Sequence, residues 1–248
     1  MIGQVLIFTE CHANMHRFFI HTPLWSTSFI LREQKMIHQI LKVLRAKVWD
    51  TFTFFDGKKI EDYEYTLEKI SSESLNFALT TKKEKTPQKR KVSLFQALPN
   101  KAEKIEYILQ KWVEVGISNF YFFRSRWSQK IFLNSSKIQR FEKIAIEAME
   151  QSNQNFVPKI VFQDSFDKKI LWDEQKIVLH HIRSENSKNL EDMSFAKEVS
   201  IFVGPEWWWS NEEVSLFENA GCEIVLFSGG VLRCETVSSV LAFYIHHK

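Results

Sequence analysis

The chain has 248 residues, of which 44% are hydrophobic and 25% charged, with a formal net charge of +3 at pH 7. This composition is typical of a folded protein with one large domain or two small ones, and the mild positive charge permits an anionic partner without demonstrating one. No apolar run approaches the roughly 18 residues of a membrane helix, and the N-terminal segment lacks the features of a signal peptide, so we expect no membrane segment. Because the three cysteines are scattered and odd in number, a reducing cytoplasm is expected.

The N-terminal third is expected to be rich in β-strands. Short apolar runs recur at 18–20, 29–31, 51–55 and 75–79, and residues 37–43 have the pattern of one short helix. The pair Asp56-Gly57 indicates a hairpin between two of these runs. The pattern predicts a small barrel or sandwich. The next ten residues, 82–91, carry six Lys or Arg and are predicted to be a solvated basic linker, with contact to phosphate as the alternative.

From Val92 onward, strand-like and helix-like segments alternate. Strands are predicted at 92–98, 117–123, 177–181, 199–203 and 224–227, and helices at 102–115, 137–151, 211–219 and 235–246. Gly116 stands where a helix C-cap belongs. This alternation predicts an α/β fold with a parallel sheet, whose ligands gather at the carboxyl ends of the strands.

Two segments of this half combine a strand end with a loop and a helix start. In the first, residues 201–214 read IFVGPEWWWSNEEV, and Ser210 with Glu213 forms the capping-box pattern. In the second, residues 227–236 read FSGGVLRCET. Each predicts a backbone loop able to hold a nucleoside-like ligand, or else a tight turn with a capping acid.

These two segments resemble motifs of a known family. The pattern GPE-x-x-x-S-x-x-E-V, followed by VLR-x-ET, resembles the GPEGG and VLR-T-ET motifs of bacterial 16S ribosomal RNA uridine-N3 methyltransferases, members of the SPOUT superfamily. The resemblance covers about residues 15–248 and includes His16-Arg17-Phe18-Phe19 and a K-x(6)-K-x-x-E-x-G helix from Lys104 to Gly116. Residues 1–14 have no counterpart and are interpreted as an upstream extension or a misplaced start codon.

The resemblance implies a particular domain organisation. A small PUA-like β-barrel that binds RNA is expected over 15–81. After the basic linker 82–91, residues 92–248 are expected to form a SPOUT methyltransferase domain, a trefoil-knotted parallel sheet with helices on both faces. The family works as a homodimer, and a homodimer is therefore expected for this chain.

The resemblance also implies the activity, which is methylation of a uridine N3 in 16S ribosomal RNA of the small subunit, with S-adenosylmethionine as donor. No metal is expected, since the cysteines are scattered and the two His-His pairs are adjacent residues whose rings point apart. The catalytic candidates are Arg233 (to stabilise charge on the uracil ring or grip phosphate) and Glu235 and Glu206 (to accept a proton or fix the loops). The implied cofactor-binding residues are Val203, Gly204, Pro205, Glu206, Trp207, Trp208, Phe227, Ser228, Gly229, Val231, Leu232 and Thr236. The implied RNA-binding residues are Arg17, Arg45, Lys104, Lys111, Arg126 and Arg140.

The sequence departs from the family where it has tryptophan in place of glycine. It contains 8 Trp and 7 Gly, whereas average usage would give about 17 Gly in a chain of this length. Trp207 and Trp208 replace the glycines of GPEGG, and Trp49 replaces a turn glycine. Further tryptophans stand where glycine is acceptable in relatives: Trp112, Trp127 and, less clearly, Trp25 and Trp209.

We hypothesise that several of these tryptophans are glycines in the native protein, from a genome that reads UGA as glycine. The alternative is a diverged protein with genuine tryptophans, whose indoles would stack on bases. Three functions remain open: an active ribosomal RNA methyltransferase, a non-catalytic RNA-binding relative whose cofactor loop is blocked by Trp207 and Trp208, and a SPOUT enzyme acting on another RNA.

Overall fold

The fold is described from a computed structural model, for residues 16–24, 26–165, 174–182, 187–226 and 232–248. The chain divides into two compact units, with the boundary between Lys85 and Thr86. Each unit has its own sheet.

The first unit is built on a five-stranded mixed sheet in the order β1-β3-β4-β5-β2. Strand β1 is parallel to β3, and the other pairs are antiparallel. A short helix between β2 and β3 continues into one π-helical turn, Gln39–Val43. The elements are β1 (Arg17–Phe19), β2 (Ser28–Leu31), α1 (Gln34–His38), β3 (Thr51–Phe55), β4 (Glu61–Ile70) and β5 (Leu75–Glu84).

Aromatic side chains fill the core of this sheet. The rings of Phe54 and Phe77 lie 5.1 Å apart, and Phe29 stacks on Phe77 at 5.1 Å. Aromatic pairs of this kind add stability beyond the area that they bury.

The predicted hairpin turn at Asp56-Gly57 is present, but the second strand of the hairpin was predicted wrongly. The turn joins β3 to β4, a strand that was not predicted, and not to the apolar run at 75–79. Strand β4 alternates buried Tyr63, Tyr65 and Leu67 with polar residues. Strand β4 was not predicted because its charged residues leave no continuous apolar run.

The segment expected to be a basic linker begins inside a strand. Strand β5 continues to Glu84, and Lys82, Lys83 and Lys85 pair with acids of β4 at 2.8, 3.6 and 2.7 Å. These acids, Glu61, Glu64 and Asp62, neutralise lysines that the sequence reading left solvated.

The second unit is an α/β domain with a seven-stranded parallel sheet, in the order β10-β12-β9-β11-β6-β7-β8, which confirms the predicted fold class. The strands are β6 (Lys91–Ala97), β7 (Asn119–Phe123), β8 (Lys159–Gln163), β9 (Gln175–His180), β10 (Lys188–Asn189), β11 (Glu198–Val203) and β12 (Glu223–Leu226). The helices are α2 (Ala102–Glu114), α3 (Ser135–Ser152), α4 (Asn211–Asn219) and α5 (Cys234–His247), with a 3-10 turn at Leu190–Asp192.

The central strands β6 and β11 are buried on both faces. On one face Phe95 stacks on Phe202 at 4.6 Å, and Phe202 contacts Phe217 of α4. On the other face Leu94 and Ile201 are fully buried. Such continuous apolar strands are typical of parallel sheets covered on both sides. Because the strands are parallel, the loops that follow them meet at one edge of the sheet, and this edge carries the site.

Candidate functional site

A cavity of about 230 Å³ lies at the carboxyl ends of β9 and β11, beside the start of α5. Most of its wall is apolar, and its charged groups come from the rim. The residues that line it are Lys104, Leu179, Val203, Gly204, Pro205, Glu206, Trp208, Leu232, Arg233, Cys234 and Val237. Six of the predicted cofactor-binding residues therefore line this cavity: Val203, Gly204, Pro205, Glu206, Trp208 and Leu232.

The loop 204–210 is held at its base and at its end. The buried side-chain amide of Gln96 donates to the carbonyl oxygens of Val203 (3.3 Å) and Gly204 (3.1 Å). At the other end the predicted capping box is confirmed, since Glu213 N–H donates to the Ser210 hydroxyl and Glu213 accepts from Ser210 N–H. The sequence did not predict this role of Gln96, because the pattern of a buried strand does not show which loop a polar side chain will bind.

Trp209 is part of the core under this loop. Its indole N–H donates to the carbonyl oxygen of Leu179 at 3.0 Å, and its ring contacts Phe123 and Phe217. An indole that is both buried and hydrogen-bonded contributes to the stability of the loop.

Lys104 binds the carboxylate of Glu206 beside the cavity. Its ammonium group lies 2.5 Å from Glu206 Oε1, which also accepts the backbone N–H of Asn100 at 3.1 Å. Burial alone would lower the pKa of Lys104, but the hydrogen bond and charge of Glu206 outweigh it, and the pKa is raised. Burial would likewise raise the pKa of Glu206, but Lys104 and the backbone donors lower it. Both groups are thus held in their charged forms.

The same lysine reaches the first turn of α5. Its Nζ lies 3.8 Å from Glu235 Oε2, and this carboxylate accepts from the Cys234 thiol at 3.2 Å. Burial, followed by the nearby Glu235, raises the pKa of Cys234 to about 12, which keeps this thiol neutral. Lys104 therefore connects α2, the loop after β11 and α5, and the structure places it inside the site and not on an open basic surface.

The second predicted loop is only partly described. Arg233 is exposed at the N-cap position of α5 and lines the cavity with Leu232, whereas Thr236 is exposed and does not. The candidates Phe227, Ser228, Gly229 and Val231 lie outside the described residues.

Two of the anomalous tryptophans have a backbone conformation that favours glycine. Trp49 has φ +82° and Trp208 has φ +63°, and bulky residues rarely adopt this left-handed region. The Trp208 ring lines the cavity and lies 4.5 Å from the ring of His181. Trp207 is 71% exposed and does not line the cavity. Trp112, by contrast, is fully buried within α2, where glycine would leave a void.

A buried histidine stands next to the cavity. His180, the last residue of β9, is 7% exposed, and its Nδ1 has no hydrogen-bond partner within the described part of the chain. Burial, followed by the neighbouring His181, lowers the pKa of His180 to about 4. His180 is therefore neutral at physiological pH.

The other basic candidates are spread over the two units. Arg17 is largely buried, pairs with Asp62 at 3.1 Å and lies over the Phe55 ring, so its guanidinium is engaged inside its own unit. Lys111 and Arg140 pair with the acids Glu114 and Glu106. Arg45 and Arg126 are exposed.

Among the described residues, no helix is long and apolar enough to cross a membrane. Across those same residues, no group of three His, Cys, Asp or Glu side chains is placed to hold a metal ion.

Comparison with known proteins agrees with this geometry. A family model described as an RNA methyltransferase domain matches residues 85–246. Ribosomal RNA small subunit methyltransferase E 2 of Borreliella burgdorferi is 31% identical over 84% of this chain and 86% of its own length. The methyltransferase E of Buchnera aphidicola is 29% identical over 90% of each chain. The crystal structure of the Neisseria gonorrhoeae methyltransferase E bound to S-adenosyl methionine has a TM-score of 0.79 at 22% identity and covers 94% of this chain and 97% of that chain.

The parallel sheet with a cavity at its carboxyl edge, together with the family model that matches 85–246, defines an α/β domain of the RNA methyltransferase class. The chain belongs to the family of ribosomal RNA small subunit methyltransferase E.

Proposed function

We propose that this protein methylates N3 of a uridine in 16S ribosomal RNA, with S-adenosylmethionine as methyl donor. The observation that carries the proposal is the cavity at the carboxyl ends of β9 and β11. It is lined by the three residues of the GPE motif and by Leu232 and Arg233 of the VLR motif. Relatives named as small subunit methyltransferases match most of the chain, and the Neisseria protein is bound to this donor.

The residues present fit such a cofactor in part. Leu179, Val203 and Val237 offer an apolar wall for a nucleoside, and the backbone of the loop after β11 offers polar groups. Trp208 forms part of the wall of this space, and a glycine at 208 would enlarge the cavity. When bound, S-adenosylmethionine supplies the methyl group.

Arg233 is the proposed cation at the acceptor base. It is exposed, lines the cavity and forms no ion pair with any other side chain that the structure describes. Loss of the N3 proton leaves negative charge on the uracil ring, and a guanidinium at this position stabilises that charge or grips an adjacent phosphate.

Glu206 is proposed to fix the loops and not to accept the proton. A good general base has a pKa near the working pH, whereas the pKa of Glu206 is lowered by Lys104 and Asn100. Its two hydrogen bonds join the loop after β11 to the start of α2. This leaves Glu235 as the carboxylate candidate for proton transfer.

We also propose the finer architecture that the family implies. Strand β12 lies between β9 and β10, although it follows β11 in the chain, and this order is compatible with a C-terminal segment threaded between earlier elements. Together with the family resemblance, the strand order supports the proposed trefoil knot in 92–248. The mixed first sheet supports a PUA-like barrel in 15–81 that contacts RNA through exposed residues such as Arg45.

A homodimer is part of the same proposal. Helix α5 presents Val240 and Phe243, which are 43% and 55% exposed, on an apolar face that a second copy would cover. Analytical ultracentrifugation of the unmodified chain is expected to give twice the mass of one chain, and a monomer at micromolar concentration would contradict this.

The activity is tested by methyl transfer to small subunits from a strain that lacks the modification. Labelled S-adenosylmethionine is added with the protein, and nucleosides from the 16S RNA are separated by mass spectrometry. We expect labelled N3-methyluridine. Label in a different nucleoside, or only in another RNA, would favour a different SPOUT substrate, and no label with either the tryptophan or the glycine form would favour a non-catalytic RNA-binding protein.

A further inference from the structure

We propose that the loop after β7, residues 124–132, is a contact surface for single-stranded RNA. The loop reads RSRWSQKIF and follows the strand next to β6. This inference rests on the proposed function and adds to it a place where RNA flanking the target uridine is held.

Positive charge on this loop is concentrated and exposed. Arg124, Arg126 and Lys130 are exposed, and no acid occurs in the sequence from Arg124 to Phe141. None of the three cations forms an ion pair with a described side chain, although the charge of Arg126 acts on the nearby carboxylate of Glu212. Exposed cations without an ion-pair partner attract the phosphates of a nucleic acid strand.

An apolar ring accompanies these cations. Phe132 is 78% exposed, and the ammonium group of Lys137 donates to its carbonyl oxygen at 2.9 Å, which fixes the backbone at this residue. Trp127 is half-exposed beside Arg126. Cations interleaved with exposed rings are the combination that binds unpaired strands, since bases stack on rings while phosphates meet the charges.

Loop 124–132 is connected to the cofactor cavity by a hydrogen bond and by ring packing. The Arg126 backbone N–H donates to Glu213 Oε1 at 2.8 Å, and Glu213 also closes the capping box that ends loop 204–210. Phe123, which precedes the loop, stacks on Trp209 with a centroid distance of 6.1 Å. Strand β7 is two strands from β11, which corresponds to roughly 10 Å at the usual strand spacing. A nucleotide next to one in the cavity therefore reaches this loop.

The charge pattern favours RNA over a protein partner. The cores of protein interfaces are depleted in charge, whereas this nine-residue loop carries three exposed cations together with the exposed rings of Trp127 and Phe132. The acids nearest the loop, Glu212 and Glu213, belong to the start of α4, and Glu213 is engaged in hydrogen bonds to backbone N–H groups.

The test uses the full chain and a fluorescent single-stranded RNA of about twelve nucleotides that contains uridines, with binding followed by anisotropy at several salt concentrations. The loop variant carries Arg124→Gln, Arg126→Gln and Lys130→Gln. The matched control carries Lys89→Gln, Lys159→Gln and Lys197→Gln. It removes the same charge from exposed positions at or just before the amino ends of β6, β8 and β11, at the edge of the sheet opposite this loop. A third variant, Phe132→Ser, removes the ring alone.

We expect the loop variant to bind RNA at least about tenfold more weakly and the slope of log K against log salt to decrease by about 2, since each phosphate contact on a single strand contributes roughly 0.7. Phe132→Ser is expected to weaken binding about fivefold with an unchanged slope. The control is expected to stay within about twofold.

Equal losses in the loop variant and the control, or unchanged RNA binding by the loop variant, would overturn the proposal. Loss of binding to small subunits with unchanged binding to RNA would also overturn it, in favour of a protein partner. Calorimetry with S-adenosylmethionine separates this result from the proposed function. It is done with Trp207→Gly and Trp208→Gly present in both proteins, and the loop variant is expected to bind the cofactor as tightly as the same chain without the loop substitutions. A protein that binds RNA through this loop but methylates nothing would refute only the proposed function.

Discussion

Lys104 of α2 and Glu206 of the loop after β11 form an ion pair beside the cavity that both line, with Nζ 2.5 Å from Oε1. The two residues are 102 positions apart in the chain, and no other described cation contacts this carboxylate. The pair therefore sets the position of the loop that we assign to the cofactor.

Replacement of Lys104 by glutamine is expected to loosen this loop. The free energy of unfolding should decrease by about 1–2 kcal/mol, since the pair is only partly shielded from water, and cofactor affinity should decrease about tenfold. Lys104→Arg is expected to restore most of the affinity. Urea denaturation measures the first effect, and calorimetry measures the second with Trp207→Gly and Trp208→Gly present in every protein compared. The neighbouring Lys101→Gln, which removes an exposed charge just before α2, is the control, and an equal loss in that variant would contradict the assigned role.

Trp49→Gly is expected to stabilise the first unit. Trp49 is 74% exposed with φ +82°, so glycine removes backbone strain without loss of packing. We expect a gain of about 0.5–1 kcal/mol in urea denaturation. Trp127→Gly is the comparison, because Trp127 is also exposed but lacks a positive φ, and there we expect a loss. A loss at both positions would remove the conformational support for a native glycine at 49.

The coding DNA tests the recoding hypothesis directly. We expect UGA codons at 49, 207 and 208, and UGG at 112 and 209, where the indoles are buried and Trp209 is hydrogen-bonded to Leu179. UGG at 49, 207 and 208 would rule out the hypothesis and make these tryptophans genuine.

Stability is expected to depend on pH through His180. Its pKa is lowered from 6.5 to about 4 in the folded chain, so between these values the unfolded chain binds a proton that the folded chain does not. Stability therefore decreases as pH falls from about 6.5 to 4, by up to roughly 1.4 kcal/mol per pH unit. His180→Phe removes this contribution, while His246, whose pKa burial also lowers to about 4, retains its own. Urea denaturation at several pH values measures the slope, and an unchanged slope in the variant would refute this account.

The periodic elements of the second unit were predictable from the sequence. Helices α2 and α4 and strand β11 lie within a few residues of their predicted bounds, because apolar spacing and the Ser210–Glu213 capping box act locally. Strands β4 and β8 were missed. Strand β4 alternates acids with aromatic residues and shows no apolar run, whereas β8 has a run of only three apolar residues and is only partly buried.

The part of the site that lies in a sequence motif could be predicted. Val203, Gly204 and Pro205 follow directly from the strand and loop pattern and line the cavity. The roles of Lys104 and Gln96 could not be predicted, because their partners lie more than 100 residues away in sequence and become neighbours only through the parallel pairing of β6 with β11.

The central claim is that the cavity at the ends of β9 and β11 binds S-adenosylmethionine, and calorimetric titration tests it most directly. The chain is prepared as written and with Trp207→Gly and Trp208→Gly, and each form is titrated with the cofactor. We expect the glycine form to bind one cofactor per chain and the tryptophan form to bind far more weakly, because Trp208 lines the cavity and a glycine there would leave more room for the cofactor. Absence of binding in both forms would contradict the claim.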